Sequence, residues 1–281
     1  MNPAYALAVL TAAVYGSADF LGGLATRRAS AIVVTFVSGA AGLLTLAAGT
    51  PWIHGVPMPG DFAWAIGSGV CGALGIIALY RALALGTVSV AAPVISLTML
   101  AVPVAAGLAL GERPGALALL GMALAAGAFP LLSHTGAREH AERARLRAML
   151  RVAVASGVML GGFLVCIRPL APGAGLAPLI VARLTIVLVS GLILLVRRQP
   201  VRIPPAAQPA TLFAGLCDSG ANISYFFAVH RAPLAGVGTI VALSPAATLL
   251  LARVILRERW TLPQQAGLVL AAAAIVCVSL G

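Results

Sequence analysis

The chain has 281 residues, of which 61% are hydrophobic and 9% charged. A soluble domain carries about 25% charged residues, so an ordinary water-soluble fold is excluded. The net charge of +11 comes from arginine alone, and the arginines lie between apolar runs instead of clustering on one face, which argues against nucleic acid as a partner.

Apolar runs of about 18 residues or more are long enough to cross a bilayer core, and they are continuous where a lipid-facing barrel would alternate. The fold class expected is therefore an all-α polytopic membrane protein. Ten spans are predicted, over residues 4–24, 31–50, 62–82, 88–110, 115–133, 151–167, 176–196, 210–229, 236–256 and 262–280. No basic stretch precedes the first, which is read as a retained span rather than a cleaved signal. Turn chemistry separates the spans: Thr26-Arg27-Arg28, then the Pro- and Gly-rich stretch 51–61, then Leu85-Gly86-Thr87, then Gly111-Glu112-Arg113-Pro114. The long polar insert, rich in arginine, divides the chain into residues 1–134, a linker over 135–150 and residues 151–281, with five spans on either side.

Loops after odd-numbered spans hold Arg27, Arg28, Arg81, Arg138, Arg143, Arg145, Arg147, Arg151, Arg197, Arg198, Arg202, Arg253, Arg257 and Arg259; loops after even-numbered spans hold Arg113, Arg168 and Arg231. The excess marks the odd loops as cytoplasmic and places both termini outside. The halves also repeat one another. A shift of 146 positions carries Glu112-Arg113 onto Glu258-Arg259, Gly121 onto Gly267 and Tyr80 onto Phe226. With an odd number of spans in each half, the copies are inverted, a plan of secondary transporters that places the substrate near the midplane between repeats.

Glycines crowd several spans (Gly67, Gly69, Gly72 and Gly75; Gly107 and Gly111; Gly157 and Gly161) and predict close helix packing. Pro93, Pro103, Pro130 and Pro245 stand inside spans, where each frees a carbonyl and permits a kink. Cys71, Cys166, Cys217 and Cys277 lie in apolar segments without a C-x-x-C pair and read as buried free thiols. His54, His134, His140 and His230 have no ligand spacing, so neither a metal nor a cofactor is expected.

Polar groups inside a span cost about 2.5–3.5 kcal/mol on insertion scales and so face a cavity or a partner. Asp218, Asn222 and Tyr225 recur at helical spacing in the eighth span and share one face, which serves either a polar substrate or an interhelical lock through Arg183 of the seventh. Asp19, with Tyr15 one turn earlier and Ser17 nearby, serves either coupling or gating, or turns to the interface to pair with Arg27 and Arg28. Arg183 needs an anionic or carbonyl partner, and it meets either a substrate carboxylate or a structural acid. Tyr80, Ser96, Thr98 and Ser244 are candidates to line a central uncharged cavity. Glu112 and Glu258 read as helix-end or ion-pair elements. No nucleophile elbow, His-Glu-x-x-His or Walker loop is present, so no enzyme activity is expected.

The repeated small-residue break, the Ala91-Ala92-Pro93-Val94 and Ser244-Pro245-Ala246 cores, the closing Leu110-Gly111-Glu112-Arg113 and Leu256-Arg257-Glu258-Arg259, and Ala182-Arg183-Leu184 together resemble the EamA family of the drug/metabolite transporter superfamily. The resemblance covers essentially the whole chain and implies two inverted five-helix repeats. It also implies export of small metabolites across a bacterial-type inner membrane, with YddG-like amino-acid exporters, aromatic amino acids included, as the favoured branch. Drug or nucleotide-sugar carriage and an intramembrane enzyme remain the alternatives. The partners expected are a small-molecule substrate and the lipid bilayer, and a monomer suffices for a pathway. Two departures, Leu256-Arg257-Glu258 for Leu110-Gly111-Glu112 and Thr239 where Pro93 stands, argue against strictly symmetric gating.

Overall fold

The computed structural model describes residues 3–85, 88–133, 143–257 and 260–281. Among them the regular elements are α-helices: α1 (Pro3–Thr26), α2 (Ala31–Gly49), α3 (Pro59–Leu85), α4 (Val88–Ala109), α5 (Ala116–Leu132), α6 (Arg143–Ile167), α7 (Ala177–Val196), α8 (Gln208–Val229), α9 (Leu234–Ala242), α10 (Ser244–Leu256) and α11 (Leu262–Leu280), with a single 3₁₀ turn at Pro205–Ala207. Nine segments among the described residues are long and apolar enough to cross a membrane, one of them the α9–α10 pair, and the 17-residue α5 is a tenth, shorter apolar helix. The predicted ninth span is thus two helices. α6 begins before its apolar run, and Glu258 lies outside the described residues.

The two halves interlock instead of packing as separate bundles. α1 runs along α8 as α3 runs along α6; α2 packs on α8 as α7 packs on α3; α1 meets α9 and α10 as α6 meets α4; and α5 pairs with α11. Each of these contacts between halves has its image in the other, as an inverted duplication requires. Hydroxyl-to-carbonyl bonds stitch the paired helices, Ser224 Oγ to Leu7 O (3.2 Å) between α8 and α1, and Ser68 Oγ to Phe163 O (3.0 Å) and Ser156 Oγ to Gly75 O (2.9 Å) between α3 and α6. In a membrane such bonds are worth only about 0.6 kcal/mol each, so shape carries most of the association.

Small residues supply that shape. A Cβ on Gly157 would come within 2.6 Å of the Ile95 carbonyl on α4, and one on Gly161 within 3.0 Å of the Met99 carbonyl. The same holds in the other half, where a Cβ on Gly16 would fall 2.5 Å from both Ala247 Cβ and the Ser244 carbonyl. Gly16→Val should therefore push α10 off α1. A loss of about 1–3 kcal/mol is expected from overpacking, read as a lower unfolding temperature in detergent; an unchanged temperature would contradict this close approach.

α9 is buried at every position, Leu234 to Ala242, and is the innermost segment of the fold. The break after it follows Pro245, which cannot donate one turn back; Leu243 turns out of helical geometry (φ −81°, ψ 8°) and its N–H bonds to Ile240 O instead. α4 carries Pro93 and Pro103 yet runs unbroken. At the other end, α11 starts in a capping box, with Thr261 Oγ1 accepting from Gln264 N while the Gln264 side chain accepts from Thr261 N. The four cysteines are free, as expected, but half-buried rather than buried.

Candidate functional site

The polar residues of α1, α7 and α8 meet across the long α1–α8 contact. Asn222 sits at its centre, 6% exposed. Its Nδ2 donates to the Asp218 carbonyl one turn earlier (2.7 Å) and to Asp218 Oδ2 (3.3 Å), while its Oδ1 accepts from Tyr15 Oη (2.9 Å). Asp218 Oδ2 forms an ion pair with the Arg183 guanidinium of α7. The pair is lopsided: the Arg183 side chain is 7% exposed and that of Asp218 33%. Arg183 is thus the buried support and Asp218 the accessible edge. Gly42 of α2 makes room for it, since a Cβ there would lie 3.3 Å from Arg183 Nε and 2.3 Å from Ser219 Oγ. A cavity of about 10 Å³, room for one water, lies against Arg183 and Asn222 among Leu46, Phe163 and Ile186.

One turn along α1 from Tyr15, Asp19 is exposed. The Ser244 hydroxyl, at the first residue of α10, is within hydrogen-bonding reach of its carboxyl. Thr248 Oγ1 fastens the same stretch of α10 to Gly16 O of α1 (2.9 Å). The break in the ninth span therefore places a helix N-terminus, with its partial positive charge, beside an accessible carboxylate; the Ala246 N–H there bonds to Leu243 O (2.9 Å) and Pro245 carries none. Asp19 does not pair with Arg27 or Arg28: among the described residues no ion pair joins them, and Asp19 stands in the helix interior facing α10.

The other predicted residues separate. Tyr225 shares the helix with Asp218 and Asn222 but is fully buried, and its hydroxyl donates to Leu164 O of α6 (3.0 Å), so it is a strut between helices. Thr98 Oγ1 donates to Val94 O of its own helix (2.8 Å). Thr98 and Ser96 lie on α4, which packs on α6, α9 and α5. Tyr80 falls on α3, and its side chain lies outside the described residues.

Other polar residues gather at the end that carries the even-numbered loops. Glu112 accepts from the N–H groups of Leu234 (2.6 Å) and Ala235 (2.9 Å), the first two residues of α9, so the hinge acid of one repeat caps the central helix of the other. Gly107 permits the approach, since a Cβ there would lie 2.3 Å from Glu112 Oε2. Asp61 accepts from Met58 N (2.7 Å) and from Ala171 N (2.9 Å) in the loop before α7. Val56 N donates to Gly173 O (3.0 Å), and the His230 ring bridges Phe226 O (2.7 Å) and Leu170 O (2.6 Å). Together these contacts seal that end. Asp61 is 4% exposed; an acid opening a helix after Pro59-Gly60 was the signal that could have found it.

The family model of the EamA-like transporter family matches residues 2–133 and 148–280. A crystal structure described only as that of a protein shares the fold, with a TM-score of 0.81 and 17% identity over 100% of this chain and 98% of its own. Comparison with curated proteins finds no match.

Proposed function

Because the chain belongs to the EamA-like transporter family, a multi-pass membrane transporter family of the drug/metabolite superfamily, we propose that it exports small zwitterionic metabolites, foremost amino acids, by alternating access. The observation that carries this reading is the pairing of Asp19 with the start of α10. An accessible carboxylate beside a half-helix N-terminus offers a negative and a positive element side by side, the complement of an ammonium and a carboxylate on one small molecule. Tyr15, one turn along α1 from Asp19, bonds to Asn222 and through it to Asp218 and Arg183, which supports a substrate at Asp19 being sensed at the α7–α8 lock.

The arginine distribution supports an inner-membrane topology with odd loops cytoplasmic and both termini outside. In that frame the end sealed by Glu112, Asp61 and His230 is the outer one. The described state is then closed to the outside. The repeat supplies a counterpart in sequence: the shift of 146 positions carries Glu112 to Glu258 and Leu234 to Val88. That acid lies outside the described residues.

A nucleotide-sugar carrier needs cations on its path, and Arg183 is both buried and committed to Asp218. The same commitment weighs against an Asp19–Asp218 catalytic pair. Thermal unfolding of the detergent-purified protein with a panel of neutral amino acids, drugs and nucleotide sugars tests the substrate class. A ligand at ten times its Kd adds about 1.4 kcal/mol. Stabilisation by several amino acids, lost in Asp19→Asn and Asn222→Ala, is expected. No shift with any amino acid, beside a clear one with a nucleotide sugar or an apolar drug, would refute the assignment.

A further inference from the structure

A second site lies away from the pathway. Between the α1–α2 loop and the α7–α8 connection is an open groove of about 990 Å³, lined by Arg28, Ser30, Gln199, Arg202 and Gln208 at its polar end and by Val33, Val37 and Leu212 along α2 and α8. Arg27, Arg28, Arg197, Arg198 and Arg202 are all exposed around it. The stretches 27–37 and 195–212 contain no acidic residue, and among the described residues no ion pair engages these arginines. Among the described residues Arg28 anchors the groove through one bond, Nη1 to Ala206 O (3.2 Å), which leaves the rest of its guanidinium fork open there. Arg198 holds a left-handed conformation (φ 49°) at the position after the helix where glycine is favoured, in a turn closed by Gln199 N to Leu194 O (2.9 Å). A guanidinium is thus present where the backbone alone would select glycine.

Directly beside the arginines the surface turns apolar. Leu195 and Val196 are each 74% exposed, and Val201, Leu212 and Phe213 are exposed too. The groove therefore has a cationic head at the end of the helices and an apolar floor running down α2 and α8 into the span. It is too large for a free phosphate alone, and its two-part chemistry matches one molecule that has both parts.

We infer that this groove is a binding site for an anionic phospholipid, its phosphate held by Arg28 and Arg202 and its acyl chains lying along Val37 and Leu212. The inference needs only that these helices span a bilayer, and stands apart from the amino-acid assignment. A bound lipid would tie the α1–α2 loop to the α7–α8 connection, and through α7 and α8 bear on the Arg183–Asp218 pair.

Native mass spectrometry of the detergent-purified protein tests it, with phosphatidylglycerol, phosphatidylcholine of the same chains, and inorganic phosphate as probes. Phosphatidylglycerol should bind with phosphatidylcholine several-fold weaker, and each arginine changed to glutamine should weaken the anionic lipid about fivefold. Arg28→Lys/Arg202→Lys should keep most of the binding, and Arg113→Gln at the opposite end should leave it unchanged. Equal binding of both lipids, or full binding by a folded Arg28→Gln/Arg202→Gln variant, would overturn the inference. Displacement of the lipid by millimolar phosphate would reassign the groove to a soluble anion and overturn it as well.

Discussion

Arg183→Met should cost about 3 kcal/mol of stability, a large part of the 5–15 kcal/mol that holds a typical fold together. The cause is the charge left behind. With the guanidinium gone, Asp218 keeps one weak contact from Asn222 Nδ2 (3.3 Å) and faces α7 unpaired. The figure sits at the low end of the 3–5 kcal/mol expected for breaking a buried pair, because Asp218 is 33% exposed and water relieves part of the penalty. Removing both charges should reverse the effect. Arg183→Met/Asp218→Leu should unfold near the parent temperature, since an apolar pair avoids the desolvation that the ion pair bears. The double variant should nevertheless transport poorly, because the accessible edge that Asp218 offers is gone. Unfolding temperatures of the three proteins check the claim; a double variant as unstable as Arg183→Met would contradict it.

Glu112→Ala should open the sealed end. It removes two bonds to a charged acceptor, each worth about 1.5–3 kcal/mol, and it uncovers the positive end of α9. Because α9 is buried throughout, its N–H groups cannot exchange the lost acceptor for water unless the end parts. The readout is a cysteine at Ala235, fully buried, in a background with the four native cysteines replaced. A membrane-impermeant maleimide should label it in Glu112→Ala and not in the parent. Transport should fall more than tenfold, since a carrier that cannot close one end leaks its cycle. Gly107→Ala should act in the same direction by crowding the carboxylate, and Glu112→Gln should fall between. A cysteine at 235 that stays unlabelled in all three variants would show that Glu112 does not hold the end shut.

The parts of this fold that were legible in the sequence are those that a bilayer makes obligatory. Continuous apolar runs must become helices, a duplicated hairpin with an odd number of spans must invert, and a lone buried arginine must find an acid, as Arg183 finds Asp218. Spacing placed Asp218 and Asn222 on one face, and they bond to each other. Spacing did not reveal that Tyr225 turns away, because that depends on the Leu164 carbonyl of another helix coming within reach. Prolines marked both α4 and the ninth span as places for a kink, yet only the ninth breaks. Which free carbonyl is tolerated depends on packing that no local pattern carries. Glu112 was readable as a helix-end acid, but the helix it caps lies in the other repeat, and Asp61 gave the same kind of signal unnoticed. Ser96, Thr98 and Ser244 were grouped as lining one uncharged cavity, yet Thr98 bonds to Val94 O of its own helix while Ser244 opens α10 beside Asp19.

Asp19 with Ser244, and Tyr15, one turn away on α1, with Asn222, are proposed to pass amino acids across the membrane. Uptake of labelled neutral amino acids into proteoliposomes, with and without a pH gradient, tests it most directly. Saturable uptake of several of them is expected, reduced at least tenfold in Asn222→Ala and in Asp19→Asn, both still folded. Uptake equal to empty liposomes for every amino acid, by protein shown to be folded, would contradict it.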